Sequence, residues 1–380
     1  MENIATLKNK IFLSIAIPTY NRANFLENLL NTIMPQAEKF KGLVQICISN
    51  NDSTDNTREI VAKFKEKYPG FIKYNENKKN LGGDKNVLKV IEMCDGDFVW
   101  TFGDDDSIID NGLKTVINFI KNNFREDIGL IVLRVKLYLP DKLTGKKIIY
   151  HDTLDRNKPE KLEIDRKELI GTSFPSIAFL SILIFNNGPL KKMLIEDKAS
   201  LEQDTETSHI LLILISSLFL KYPYLNGIVF NKDMVYQEMP QYKYFIEDKF
   251  VMHYQRQMKL NSALLSNKYM DNNYAPLIMQ RYKGLRMDFI ADMMVMRAFK
   301  DFKYFSYFGC LKLFFKNSSL MDALLFSLIF SALFLIPPVV LTSLYKGLLI
   351  KRHGKKWKLK WNFSNKIYSV VSGGNRRRNE

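Results

Sequence analysis

Apolar and polar positions alternate in blocks along the first part of the chain. An apolar run, Ile11 to Pro18, gives way to the polar turn Thr19-Tyr20-Asn21-Arg22, after which Leu26, Leu29, Leu30 and Ile33 recur on one helical face. That order then repeats. Val44 to Ser49 reads as a second strand, Asn50-Asn51-Asp52-Ser53-Thr54-Asp55 supplies turn and capping chemistry, and Ile60, Val61 and Phe64 mark the helix behind it. Ile72 to Asn75 is a third, short strand, and Asn80-Leu81-Gly82-Gly83-Asp84 leads into a helix with Val87, Leu88 and Ile91 inward. Phe98 to Phe102 is a fourth strand, and beyond it Leu113, Val116, Ile117 and Ile120 share a helix face. Strand and helix alternating at this spacing predict an α/β fold, Rossmann-like, with a mostly parallel sheet covered by helices. Farther on, Ile128 to Val135 reads as a strand and the charged stretch Tyr138 to Lys167 as an exposed hairpin or loop. Phe179 to Phe185 is again strand-like, and Asn186-Asn187-Gly188-Pro189 makes a turn and helix start.

The fourth strand ends at Gly103 and then presents Asp104, Asp105 and Asp106. Unpaired buried charge is costly, so these carboxylates face water, a cation, or both. Asp104 and Asp106, two residues apart at a strand end, suit a shared hard divalent ion such as Mn2+ or Mg2+, which takes its remaining ligands from water and substrate phosphates. A solvated acidic turn between strand and helix would use the same residues. The wider pattern favours a site: ligands of such sheets bind beyond the carboxyl ends of the strands. Thr19 to Arg22, Asn50 to Asp55, Asn80 to Asp84 and Asp104 to Asp106 all fall at such ends.

Charge changes the picture in one place. Lys and Arg number 56 against 40 Asp and Glu, a net +16, but eleven of those basic residues and a single acid lie between Lys346 and Glu380. The remainder is only mildly basic, so no nucleic acid is expected as a partner; a basic tail beside an apolar stretch points to an anionic membrane surface. Cys47, Cys94 and Cys310 are widely spaced, which excludes a cysteine zinc site and fits a reducing compartment. The apolar run Ile11 to Ile17, cut by Pro18, is too short for a secretory signal and reads as a cytoplasmic strand.

Taken together, Ile-Pro-Thr-Tyr-Asn-Arg after the first strand, Ser-Asn-Asn-Asp-Ser-Thr-Asp-Asn-Thr after the second, Asn80-x-Gly82 with Asn86, and the closing Gly-Asp-Asp-Asp resemble the family 2 glycosyltransferases. The resemblance is greatest to the bacterial abequosyltransferase-like branch, where a segment like Trp100 to Asp106 is usual, and it covers the first ~120 residues, weakening towards Tyr236. It implies the GT-A fold and a nucleotide-sugar donor. It places Thr19, Tyr20 and Arg22 beside the nucleotide, Asn50 near the ribose or base, and Asp84 and Lys85 near base or diphosphate. Asp104 and Asp106 fall at the metal, with Asp104 and Asp105 also counted on the cofactor side. Many relatives carry Asp where this chain has Asn50, so the donor base does not carry over.

An inverting transfer needs a carboxylate that takes the acceptor hydroxyl proton as that oxygen attacks the anomeric carbon. The candidates are Glu202, Asp204 and Glu206, with Asp204 favoured; the same acids would also suit the N-terminal turn of the apolar helix Ile210 to Leu220. His209 reads as a packing residue.

The expected domains are 1–236 for the GT-A glycosyltransferase domain, 237–317 for a helical appendage, 318–350 for a hydrophobic membrane-associated segment and 351–380 for a basic tail. Ala323 to Tyr345 holds no charged residue over 23 positions, long enough to span a bilayer, yet Pro337-Pro338 interrupts it and basic residues follow at once. A helix, a bend and a return within one leaflet keeps the enzyme and the basic tail on one side. A single span and a helical hairpin packed on the enzyme are the alternatives. The expectation is an inverting, metal-dependent enzyme at the cytoplasmic face of the bacterial inner membrane. It would move a sugar to a lipid-linked saccharide in surface polysaccharide (O-antigen or capsule) synthesis. Transfer to a polyprenyl phosphate or a polyol-phosphate polymer is a second reading, and an inactive membrane-associated scaffold a third.

Overall fold

A computed structural model describes residues 10–140, 147–152, 159–164, 166–167, 169–170, 179–204, 210–238, 263–270 and 272–276, with separate positions between 324 and 344. The anticipated alternation is present. Strand β1 (Leu13–Thr19) leads to α1 (Ala23–Ala37), β2 (Val44–Asn50) to α2 (Thr57–Lys67), and β3 (Ile72–Glu76) to α3 (Gly83–Glu92). Then come β4 (Phe98–Thr101), β5 (Asp106–Ile108), α4 (Gly112–Asn123), β6 (Ile128–Pro140), β7 (Lys147–Asp152) and β8 (Lys161–Ile164). A 3-10 turn, Leu180–Ile182, precedes β9 (Leu183–Asn186), followed by α5 (Asn187–Glu196), α6 (Lys198–Asp204), α7 (Ile210–Lys221) and β10 (Asn226–Glu238).

The apolar stripes fix the layers. Leu26, Leu29, Leu30 and Ile33 of α1, and Leu113, Val116, Ile117 and Ile120 of α4, are all buried. Each such side chain contributes about 1.5–3 kcal/mol on leaving water. Pro35 lies in the last turn of α1, where its missing N–H and its ring interrupt the helical hydrogen-bond ladder, and the helix ends two residues later. The strands β1, β2 and β4 read as nearly continuous apolar runs because helices cover the sheet.

The ten strands form one sheet in the order β3-β2-β1-β4-β9-β6-β10-β5, with β7 on β6 and β8 on β10. It is mixed rather than mostly parallel. β1 pairs in parallel with β2 and β4, and β2 with β3, but β9 enters antiparallel between β4 and β6. β6 and β10 resume the first direction, so the carboxyl ends of β1, β2, β4, β6 and β10 share one rim. The charged stretch after β6 folds back as the hairpin β6–β7. Between the three aspartates and the helix expected after them lies a short strand, β5, with Asp106 opposite Gln237 of β10.

By Cα packing the chain divides into two compact units, one of Met1–Met239 with Ala263–Ile278 and one of Pro240–Ser262 with Met279–Glu380. In the first, residues 263–276 are held to the core by buried Leu264 and by the Asn267 side-chain amide, which donates to the Ser217 hydroxyl at 2.8 Å. Buried Asp197, just past α5, accepts from Lys221 Nζ at 2.8 Å, from Tyr269 Oη at 3.1 Å and from Lys268 Nζ. Of the second unit, the described residues include Leu324, Leu328, Leu335, Val340 and Leu344, all exposed. Among the described residues no helix is long and apolar enough to cross a membrane. The expected basic tail, and most of the expected appendage and apolar segment, lie outside the described residues.

Burial alone would raise the Asp197 carboxyl, but Lys221, Lys268 and Tyr269 pull it below the ordinary carboxylate range. The stabilisation from a lowered folded-state value is complete above the unfolded-state pKa of about 4 and is lost as pH falls from there through the folded-state value. Asp197→Ala, which leaves Lys221 to the half-exposed Glu196 at 2.6 Å, should cost about 1–3 kcal/mol at pH 7 in urea unfolding. That deficit should shrink as the pH is lowered below about 4; a deficit that does not change with pH would contradict this role.

Candidate active site

Four polar loops meet on the rim where β1, β2 and β4 end. Their backbones are stitched together directly: Asn51 N donates to Thr19 O at 2.9 Å, Asn77 N to Asn50 O at 2.9 Å, and Phe102 N to Ala16 O at 2.8 Å. Beneath them lies a knot of buried amides. The Asn86 side chain, from α3, accepts from Ser49 Oγ at 2.7 Å and Asn77 Nδ2 at 3.0 Å, and donates to Ser49 O at 3.0 Å and Thr19 O at 3.4 Å. Asn51 Oδ1 accepts from Leu81 N at 2.9 Å and from Asn77 Nδ2 at 3.0 Å, while its Nδ2 donates to Asn80 Oδ1 at 2.8 Å. With every donor matched to an acceptor, such a network holds its loops in one arrangement. Gly82, at φ +84°, turns the chain into α3 in a conformation that L side chains rarely adopt.

The first two loops are also clipped to each other. Asn21 adopts a left-handed φ of 52° and accepts from Thr54 N at 2.7 Å, while its own N–H donates to Ser53 Oγ at 2.9 Å. Asp55 accepts from Ala23 N, at the start of α1, at 2.9 Å and from Thr57 N, at the start of α2, at 3.2 Å. One carboxylate therefore caps two helices.

The aspartates receive side chains from the far side of the sequence. Thr19 Oγ1 donates to Asp104 Oδ2 at 2.8 Å, and Arg22 Nη1 donates to Asp104 Oδ1 at 3.0 Å and to Asp105 Oδ2 at 2.8 Å. Burial raises the Asp104 carboxyl to about 6, against the lowering effects of Arg22 and Thr19, with Asp105 adding to the rise. Its negative charge is thus under-compensated by the protein. Asp106 is also buried, and Ser181 Oγ donates to its Oδ2. The same hydroxyl accepts from Gly103 N at 2.8 Å, and the Ser181 carbonyl accepts from Trp100 Nε1 at 2.8 Å. A Cβ on Gly103 would come within 3.0 Å of Asp106 Oδ2 and 3.1 Å of Asp105 Oδ1, so these carboxylates close around the glycine.

The donor set fits a hard divalent ion: oxygen only, with one carboxylate short of positive charge. Among the described residues no group of three or more His, Cys, Asp and Glu could hold a metal by itself.

Of the residues singled out in the sequence, Thr19, Arg22, Asp104, Asp105 and Asp106 come together in this cluster, and Tyr20 stands exposed beside it. Asp84 and Lys85 lie in the first turn of α3, fastened to the same rim through Gly82 O and Asn51 Nδ2 at 3.3 Å. Asn50 is fully buried; its Oδ1 accepts from Ser53 N at 3.0 Å and its Nδ2 donates to Tyr74 Oη at 2.9 Å. Tyr74 in turn donates to Glu76 at 3.3 Å, which pairs with Arg58.

Glu202 is exposed on α6, 3.9 Å from Lys198, whose ammonium also pairs with Glu92 at 2.8 Å. Glu92 ends α3, so this end of α6 lies away from the aspartate rim. Asp204 is the last residue of α6, its side chain outside the described residues, and Glu206 and His209 lie outside them altogether. Ser181 is the functional contact that sequence reading missed. Its only mark is one hydroxyl inside the apolar run Phe179 to Phe185.

Residues 14–179, fewer than half of the chain's 380, match the sequence family Glycosyl transferase family 2, and the match takes in β1 to β8 of the mixed α/β sheet. Abequosyltransferase RfbV of Salmonella typhimurium is 41% identical over 110 residues, 29% of this chain and 33% of that protein. The GalNAc(5)-diNAcBac-PP-undecaprenol beta-1,3-glucosyltransferase of Campylobacter jejuni is 28% identical over 189 residues, 49% of this chain and 53% of that one. The poly(ribitol-phosphate) beta-N-acetylglucosaminyltransferase TarS of Staphylococcus aureus is 30% identical over 122 residues, 32% of this chain and 21% of that protein. The chain therefore spans between about a fifth and about half of the length of these relatives.

Ser181→Ala removes both a donor to buried Asp106 and an acceptor for Gly103 N. It should lower unfolding stability in urea by about 1–3 kcal/mol, and a change within error would show that the hydroxyl does not hold the rim.

Proposed function

We propose that the chain is an inverting, metal-dependent glycosyltransferase that moves one sugar from a nucleotide-sugar donor to a lipid-linked saccharide during bacterial surface-polysaccharide synthesis. The observation that carries this reading is the buried Asp104 carboxylate, held by Thr19 and Arg22 from a loop 85 and 82 residues earlier. Asp104 and Asp106 would hold Mn2+ or Mg2+. Such an ion, when bound, neutralises charge that builds on a departing diphosphate. Thr19 and Ser181 fix the two carboxylates, so their lone pairs are oriented before any ligand arrives. Asp84 and Lys85, at the start of α3, face the donor's base or diphosphate.

For the base we take Asp204, which would accept the acceptor hydroxyl proton as that oxygen attacks the anomeric carbon. Glu202 and Glu206 are its rivals, and the exposed setting of Glu202 on α6 beside Lys198 favours a surface role for it. A lipid-linked acceptor is supported by the undecaprenol relative's name and by the exposed Leu324, Leu328 and Leu335, which lie four and seven residues apart, one helical face. The same leucines, with the basic residues after Lys346, support docking on the cytoplasmic face of the inner membrane through anionic lipid. The TarS likeness supports a polyol-phosphate polymer as the alternative acceptor.

Thermal shift with a panel of nucleoside diphosphates, with and without Mn2+, should show stabilisation that needs the metal for at least one base. Asp106→Ala should abolish it, whereas a metal-independent shift, or none in the unchanged protein, would defeat the metal-dependent enzyme reading. Replacing Glu202, Asp204 and Glu206 singly by their amides should lower transfer only for Asp204→Asn, by about 100-fold or more, with nucleotide binding kept. Full activity in Asp204→Asn would remove it as the base.

A further inference from the structure

We propose that Arg22 is an exchangeable counter-ion: its guanidinium alternates between the Asp104–Asp105 pair and the donor's diphosphate, so that divalent cation and diphosphate bind as a coupled pair. This rests on the metal-dependent reading of the rim and adds a role for Arg22 that the reading does not require.

Three observations carry it. One nitrogen, Nη1, serves both carboxylates, at 3.0 Å to Asp104 and 2.8 Å to Asp105. The guanidinium therefore sits on one of the two carboxylates assigned to the metal, Asp104, and two cations on the same carboxylate repel each other. Arg22 and a metal ion therefore compete for Asp104, and coordination there is strengthened when the arginine swings away.

Departure is feasible because Arg22 is the exposed partner. Its side chain is 44% exposed, whereas that of Asp104 is 7% exposed and keeps a separate bond from Thr19 to its other oxygen. The carboxylate stays oriented whether or not the arginine is present.

A place to go lies alongside. The guanidinium sits 5.6 Å from the centre of the exposed Phe25 ring, and a cavity of about 260 Å³ opens there between Phe25 and Asp55, at the start of α1. Because it already lies over Phe25 while paired with the aspartates, the guanidinium can pivot on that ring and turn its donors to a phosphate oxygen. The swap is favourable only when both ligands come together: a cation alone displaces Arg22 into water, and a diphosphate alone pulls it from carboxylates that are then uncompensated. Arg22 thereby links the two binding events.

The test counts free Mn2+ by electron paramagnetic resonance over the full chain, first without nucleotide and then with UDP, GDP or CDP. Without nucleotide, Arg22→Gln should hold Mn2+ about two- to fivefold more tightly than the unchanged protein, the size of a partly exposed ion pair. Arg22→Lys, which keeps the charge, should stay near the unchanged protein, and Asp104→Asn should hold little Mn2+ in any state. With the effective nucleotide, the gain in Mn2+ retention should be smaller in Arg22→Gln than in the unchanged protein. If Arg22→Gln holds Mn2+ alone no better, while the unchanged protein retains Mn2+ with nucleotide, the exchange is refuted and the metal site stands. If the unchanged protein retains no Mn2+ under any condition, both fall.

Discussion

The site depends on keeping a carboxylate, Asp104, out of water while leaving it able to carry charge. Desolvation pushes its pKa to about 6, and what holds it ionisable is a threonine hydroxyl and an arginine that arrive from the first loop of the domain. Neither contact is local. Each requires β1 and β4 to lie side by side in parallel, and that pairing follows from the continuous apolar runs that bury both strands. The hydrophobic core thus sets the electrostatics of the rim by fixing which loops can reach it.

The asparagine knot plays the complementary part. Asn51, Asn77 and Asn86 are buried and bonded to one another and to the ends of β1 and β2. Amides suit this position because each can donate and accept without carrying charge, so a polar junction is buried without the desolvation cost of an ion. The loops that would hold the donor are therefore rigid below and polar above. Arg22 is the most exposed member of its ion cluster with Asp104 and Asp105, and the proposed exchange assigns it the movement.

Much of this was legible in the sequence. Strand-end polar clusters at Thr19, Asn50, Asn80 and Asp104 stand out because apolar runs stop abruptly there, and the sheet brings those four ends to one rim. The antiparallel entry of β9 was not legible: Leu183 to Asn186 is as apolar as a parallel core strand, and direction leaves no trace in composition. Ser181 was missed for the same reason, since its partner Asp106 lies 75 residues away. The acids Glu202, Asp204 and Glu206 looked alike in sequence; Lys198 and Glu92 tie the start of α6 to the far end of α3, a tertiary fact that bears on Glu202 and on the helix that Asp204 ends. Asn50 reads as a turn residue, with the resemblance placing it near the donor's ribose or base; it is the buried last residue of β2, and its amide donates to Tyr74 on the neighbouring strand.

The central claim is that Asp104 and Asp106 bind one divalent ion at the meeting point of the four loops. Anomalous scattering at the manganese edge, from crystals grown with Mn2+ and the nucleoside diphosphate that binds, measures this directly. A single peak bonded to both carboxylates and to the diphosphate is the predicted result. Manganese located elsewhere on the protein, with the nucleotide bound and neither aspartate in contact with the ion, would contradict it.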